Sequence, residues 1–199
     1  MSRDPTREEK LRDAFLVFGA QYFAHARFSA QSFYLPVSAT LFHHAIEMLL
    51  KGYLCATKTS EELKRIGHDL IGLWREFKKE VGDQSYSRFD TTIGQLDKVE
   101  LLRYPDSIVD DGYALHVSLG RPAAPMVFPG MELTPQYTIQ VSELDAIAAA
   151  IFDACQVAPE PHFRSAPTEY LNALPRSLWR RVDDEPFGDI AYTIFQGHG

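Results

Sequence analysis

The sequence predicts a mainly α protein: an up-and-down bundle of four or five helices, a small two-stranded β element after the fourth helix, and a C-terminal extension. Apolar residues recur at intervals of three and four through roughly the first hundred positions, the spacing of a single stripe on a helix. Capping and stopping residues stand where those stripes begin and end. The period then falls to two over two short segments, and prolines divide the chain after Pro159. With 199 residues and 45% hydrophobic content, the chain can fill a real core as one domain of generous size or one domain with an appendage.

The first helix can start at Asp4, with Pro5 at its first position, or at Thr6, with Glu9 closing a capping box. Either start gives the stripe Leu11, Phe15, Phe18, Tyr22 and Ala26, ending near Phe28. Pro36 opens a second helix that runs to about Thr57. Val37, Leu41, Ala45, Met48, Leu49, Gly52 and Ala56 form one face of it, and Phe42, Ile46, Leu50 and Tyr53 widen that face. A helix apolar over most of its circumference belongs in the middle of a bundle. Its polar stripe is Thr40, His44, Glu47, Lys51 and Lys58, with His43 beside it. Glu47 followed by Lys51 is the favourable order for an i to i+4 pair, worth roughly 0.2–0.5 kcal/mol on an exposed face.

A third helix begins near Gly67-His68-Asp69, shows Leu70, Leu73, Trp74, Phe77 and Val81 on one side, and stops at Gly82. A fourth, from about Ser87 to Leu102, carries Phe89, Ile93, Leu96, Val99 and Leu102 and ends before Pro105. The predicted core sets Leu41, Ala45, Met48, Leu49 and Ala56 beside Phe15, Phe18, Leu70, Trp74, Phe77, Ile93 and Leu96.

Tyr113, Leu115, Val117 and Leu119 alternate with Ala114, His116 and Ser118, and Tyr137, Ile139 and Val141 alternate with Thr138 and Gln140. Both segments read as short strands, joined as a hairpin by the Pro- and Gly-rich residues 120–136. Ser142 is a good N-cap for a fifth helix, about 142–157, with Leu144, Ile147, Ala148, Ile151, Phe152 and Cys155 on one stripe. The bundle domain thus covers residues 1–158, with its helical core at 5–106 and the hairpin at about 113–141. Residues 159–199 hold too many apolar side chains, Leu171, Leu178, Trp179, Phe187 and Phe195 among them, for a free tail. They are expected to pack on the bundle or on a partner subunit.

The net charge of −7 and pI near 5.5 argue against coating nucleic acid by bulk electrostatics, which needs clustered Lys and Arg. The first ten residues are too polar for a secretory signal, and no apolar run reaches the roughly 18 residues a membrane span requires. Cys55 and Cys155 lack paired-motif spacing and read as buried free thiols in a reducing, cytoplasmic setting.

The run His44-Ala45-Ile46-Glu47-Met48-Leu49-Leu50-Lys51-Gly52-Tyr53-Leu54, then Gly67-His68-Asp69-Leu70, then Leu102-Arg103-Tyr104-Pro105-Asp106, resembles the bacterial HEPN domain family over roughly half of the chain. The resemblance implies a helical bundle, frequently a homodimer, and roles in RNA cleavage, nucleotide binding or toxin–antitoxin and defence systems, often beside a neighbouring-gene protein partner. It also implies a nuclease pair in which an Arg is followed after about four to six residues by a His. At those offsets from Arg103 stand Ile108, Val109 and Asp110, none of them an imidazole. The resemblance therefore points to a dimeric interaction or nucleotide/RNA-binding module rather than a standard nuclease. The alternative is a metal-independent ribonuclease with a non-standard site, in which Arg103 stabilises the phosphate and His68 or His116 is the acid–base group.

The candidate ligand-binding residues are His44, Glu47, Lys51, His68, Arg103, Tyr104 and Asp106. His68, at a predicted helix N-terminus, can orient a phosphate or simply cap the helix. Arg103 and Tyr104 suit phosphate and base contacts, or Arg103 locks the fourth helix onto the second through Glu47 or Asp106. His44 and Glu47, or His43 and Glu47, are spaced to share a metal, but no second such pair stands on another helix and there is no cysteine pair, so neither metal nor cofactor is expected. Arg176, Arg180 and Arg181 are balanced by Asp183, Asp184 and Glu185 and read as a solvated face. The surplus of apolar surface beyond four helices points to a homodimer through the first two helices or the segment after Pro159.

Overall fold

The computed structural model describes residues 4–103, 113–120, 136–179 and 191–196. The protein is mainly helical, with a small β element after the fourth predicted helix. Helix α1 spans Arg7–Gln31. Of the two starts open to it, Thr6 is the one used: its hydroxyl accepts the Glu9 N–H at 3.2 Å while the Glu9 carboxylate accepts the Thr6 N–H at 2.6 Å.

The buried face of α1 is Leu16, Gly19, Ala20, Phe23, Ala24, Ala26, Arg27 and Ala30. That overturns most of the predicted stripe: Leu11 and Phe15 are half-buried, and Phe18 and Tyr22 are 54% and 37% exposed. Two adjacent faces of this helix carry apolar residues at helical spacing, and the face with small residues wins because it lets helix α2 (Leu35–Leu54) come close. A Cβ placed on Gly19 would stand 2.8 Å from Leu49 side-chain carbons, and one on Gly52 would stand 2.8 Å from Leu16. At these two positions glycine sets the separation of the helices.

The central position predicted for α2 holds, since Phe42, Ala45, Ile46, Leu49 and Leu50 are fully buried. Of the residues expected to widen its face, Phe42, Ile46 and Leu50 belong to the core itself, and Tyr53 is half-buried. Leu41 and Met48 are only half-buried, and Ala56 lies past the helix end and is exposed. A seven-residue helix α3, Ser60–Ile66, follows with a capping box of Thr59 and Glu62. Hydrophobic periodicity misses it because it buries only Leu63. Helix α4, Leu70–Val81, starts at Asp69, whose carboxylate accepts the Gly72 N–H at 2.8 Å, and ends at left-handed Gly82. Asp69, not His68, is therefore the cap.

The fourth predicted helix is divided into a 3-10 turn Gln84–Phe89, helix α5 Asp90–Lys98 and a second 3-10 turn Val99–Arg103. Phe89, Ile93, Leu96 and Val99 face the core as predicted. Asp90 accepts the Trp74 indole N–H at 2.8 Å, and Asp97 accepts the Leu70 N–H at 3.1 Å. These bonds fix α5 against α4.

The predicted hairpin is corrected. Strand β1 (Tyr113–Ser118) pairs in parallel with β2 (Gln136–Gln140) and antiparallel with β3 (Ala191–Gln196), giving the order β2-β1-β3. A parallel pair cannot be closed by a hairpin turn, and alternation marks a strand without giving its direction. Leu115, Val117 and Ile139 extend the helical core. Helix α6, Val141–Ala154, leaves β2 directly, with no side-chain cap. Ser142, predicted as that cap, instead donates its hydroxyl to the Gly120 carbonyl at 3.1 Å. The predicted stripe of α6 is buried throughout.

Two short helices, α7 (Glu160–Phe163) and α8 (Thr168–Leu171), lie against α1. Phe163, Leu174 and Leu178 are buried there, and Gln21 donates to Ser165 at 2.8 Å. Of the two placements open to the segment after Pro159, residues up to 179 thus cover their own bundle, and β3 joins its sheet; Phe187 and Arg180 to Glu185 lie outside the described residues. Cys55 and Cys155 are buried free thiols. Among the described residues no helix is long and apolar enough to cross a membrane.

Candidate functional site

Glu47 sits in the middle of α2, the most buried helix among the described residues, and is itself fully buried. Removing a lone carboxylate from water costs several kcal/mol, so it is found in such a place only with partners. Glu47 has three. Lys51, one turn along α2, brings Nζ to 2.6 Å from Oε1. His44, nearly one turn back, places Nδ1 at 3.4 Å from Oε2. His68, from the turn between α3 and α4, sets Nδ1 at 3.1 and 3.0 Å from the two oxygens.

Burial pushes the Glu47 carboxyl up, but the hydrogen bonds from His44, Lys51 and His68 and the charge of Lys51 outweigh it and hold the group at about 2. The Glu47–Lys51 pair is therefore not the exposed helix-surface contact that the spacing suggested, since Lys51 is also buried. Gly67 delivers His68 to α2: its φ of 67° turns the chain between the two helices, a conformation that costs glycine least. Tyr22 of α1 closes the other flank, its ring edge-on to His44 with centroids 4.5 Å apart.

The burial of the cluster is graded. Glu47 and Lys51 lie inside, the His44 side chain is one-third exposed, and that of His68 is 61% exposed. A neutral His68 ring giving Nδ1–H to Glu47 leaves Nε2 as an acceptor, whereas a protonated ring donates from both nitrogens. The arrangement can thus take up a proton or donate to an anionic oxygen.

Four of the predicted site residues, His44, Glu47, Lys51 and His68, meet here. The side chain of Arg103, with all of Tyr104 and Asp106, lies outside the described residues. Among the described residues, His43 ties α2 to α5 and to the turn that Arg103 ends: its Nδ1 is 3.2 Å from the Leu96 carbonyl and its Nε2 is 3.7 Å from Glu100. His43 is therefore turned to other partners than Glu47. His116 stands half-buried on β1, with its strand neighbours at Thr138 and Thr193, and is not a member of the cluster; burial pushes its imidazole down. Tyr22 is the member that sequence reasoning misses, because its apolar spacing assigns it to the core and only the α1–α2 pairing puts it on His44. Among the described residues, no group of three or more His, Cys, Asp or Glu is placed to hold a metal ion. No family model, no curated protein and no solved structure matches the chain.

Proposed function

We propose that the protein is a HEPN-like, dimeric nucleotide- or RNA-binding module of the cytoplasm, of the kind linked to toxin–antitoxin or defence systems, in which the His44–Glu47–Lys51–His68 face receives phosphate. The observation that carries this reading is the contact of His68 with a buried, ionised Glu47, at 3.0 Å, on a side chain left 61% exposed. A ring held this way is oriented before any ligand arrives, so binding loses less side-chain entropy. Lys51 and His44 add cationic or donating groups to the same carboxylate. The test is fluorescence anisotropy of a labelled RNA of about 12 nucleotides, with adenosine monophosphate as competitor, in low salt. Saturable binding that weakens with salt and falls at least about fivefold in His68→Ala is the expected result. Absence of saturable binding up to millimolar protein overturns the reading.

The same contact favours one second reading, a metal-independent ribonuclease, because a carboxylate on one ring nitrogen is how an imidazole is oriented for acid–base work. In it His68 moves the proton and Arg103 stabilises the phosphate. RNA incubated in chelator with wild-type protein and with Arg103→Ala or His68→Ala variants separates the two. Cleavage that both substitutions abolish selects the enzyme, and intact, bound RNA selects the module.

The dimer proposal rests on exposed apolar side chains of the first helical pair: Phe18, Tyr22, Phe33, Tyr34 and Val37. A second copy is the occupant proposed for this face, since closed two-fold pairing is the commonest way to cover such a patch. Light scattering at micromolar concentration is expected to give twice the 22.5 kDa of one chain. A single-chain mass, unchanged on concentration and in Phe18→Asp, defeats the dimer.

A further inference from the structure

Sharing Lys51 with the Glu47 cluster, α1, α2 and α3 line a second feature: a cavity of about 230 Å³. Its chemistry is two-sided. Leu11 and Phe15, four residues apart on one face of α1, and the buried Leu63 of α3 give it an apolar floor. Arg7, Lys51 and Lys64 give it three cations, and among the described residues no carboxylate lines it. That runs against the composition of a chain with 27 acidic and 20 basic residues.

Lys51 gives one hydrogen bond to Glu47 at 2.6 Å, and an ammonium has three donors, so two remain. Arg7 and Lys64 are exposed at the mouth. After Lys51 is balanced by Glu47, the cavity keeps an excess of two positive charges above an apolar base. The volume is below the roughly 300 Å³ at which drug-sized pockets begin, so the occupant it fits is small. The one hydroxyl on its wall among the described residues, Ser60, offers little to a sugar or a base, which need several polar partners.

We propose that this cavity is a binding site for a small amphipathic anion, a molecule with a short apolar body and a carboxylate or phosphate head. The body lies on Leu11, Phe15 and Leu63, and the head is held between Arg7, Lys64 and the free N–H donors of Lys51. The site does not depend on RNA binding at His68, because its walls are different residues except for Lys51.

The experiment is calorimetric titration of the full chain with octanoate and with octyl phosphate, accompanied by amide chemical-shift mapping. Saturable 1:1 binding of either probe is expected, with the largest shifts at Leu11, Phe15 and Leu63, and the stronger probe identifies the head group. Octanol and inorganic phosphate, each carrying half of the chemistry, are expected to bind at least tenfold more weakly. The doubly reversed variant Arg7→Glu/Lys64→Glu is expected to lose at least tenfold in affinity for the stronger probe. Both positions are exposed, and Glu at the first position of α1 suits the helix dipole, so the fold is not at stake. No saturable binding below about 5 mM, shifts confined to another surface, or an unchanged affinity in the reversed variant would each overturn the proposal.

Discussion

Glu47 and Asp145 are both buried carboxylates, and the protein satisfies them in opposite ways. Asp145, on α6, meets one cation: Arg27 of α1 places Nη1 on both carboxylate oxygens, while its Nε donates to the Ala173 carbonyl. Burial pushes the Asp145 carboxyl up, and Arg27 pulls only partly against it. Glu47 meets three groups that together overcome the same desolvation and hold it at about 2. Arg27 is itself buried, so the first pair is shut off from most of the water and fastens three parts of the chain: α1, α6 and the segment after α8. The second opens to water through His68. The contrast separates a staple from a site: both contain a buried charge, but only one keeps hydrogen-bonding capacity on an exposed side chain.

The largest effect that can break this comparison is expected at the staple. Arg27→Ala leaves Asp145 buried without its cation, and stranded buried charges cost about 3–5 kcal/mol. Urea unfolding followed by circular dichroism measures it. The double change Arg27→Met/Asp145→Leu removes both charges and keeps apolar bulk, so it is expected to recover most of the loss. A cost below about 1 kcal/mol for Arg27→Ala would show that water reaches Asp145 and that the pair is not closed.

The two carboxylates also differ in how far they can be read from the sequence. His44, Glu47 and Lys51 fall on one face because helical spacing is local, and so do the capping box at Thr6 and Glu9 and the stop at Gly82. His68 is 21 residues from Glu47 and is legible only as a candidate, since nothing local reports that Gly67 turns it toward α2. Arg27 and Asp145 are 118 residues apart and carry no local signal at all. The same limit explains the two main corrections to the fold. Which apolar face of α1 turns inward is decided by how closely α2 approaches at Gly19 and Gly52. Which way β2 runs is decided by a partner strand and not by its own alternation.

At Glu47 a smaller effect is expected, with a pH dependence opposite in sign to that of Asp145, whose carboxyl burial pushes up. A carboxyl lowered from 4.5 to about 2 in the folded protein contributes stability that is fully present above the unfolded value and is lost as pH falls through the folded one. At 1.36 kcal/mol per tenfold change in proton affinity, that contribution is on the order of 3 kcal/mol at neutral pH. Glu47→Gln cannot ionise, so the stability gap between wild type and this variant is expected to narrow steadily from about pH 4.5 to pH 2. A gap that stays constant over that window would mean that Glu47 is held by packing and not by its three partners.

The smallest effect on stability, and the sharpest on the comparison, belongs to His68. Its side chain is 61% exposed, and exposed ion pairs contribute only about 0–1 kcal/mol; Lys51 and His44 remain on Glu47 when it is removed. His68→Ala is therefore expected to unfold within about 1 kcal/mol of wild type. Nearly all of its consequence should fall on ligand, as a loss of RNA or nucleotide affinity of at least about fivefold. The paired measurement is what gives the result meaning. A staple residue loses stability first and binding only as a consequence, whereas a site residue loses binding from a protein that is still folded. If His68→Ala instead destabilises by several kcal/mol and leaves affinity per folded molecule unchanged, Glu47 and His68 form a second staple, and the distinction drawn from Asp145 collapses.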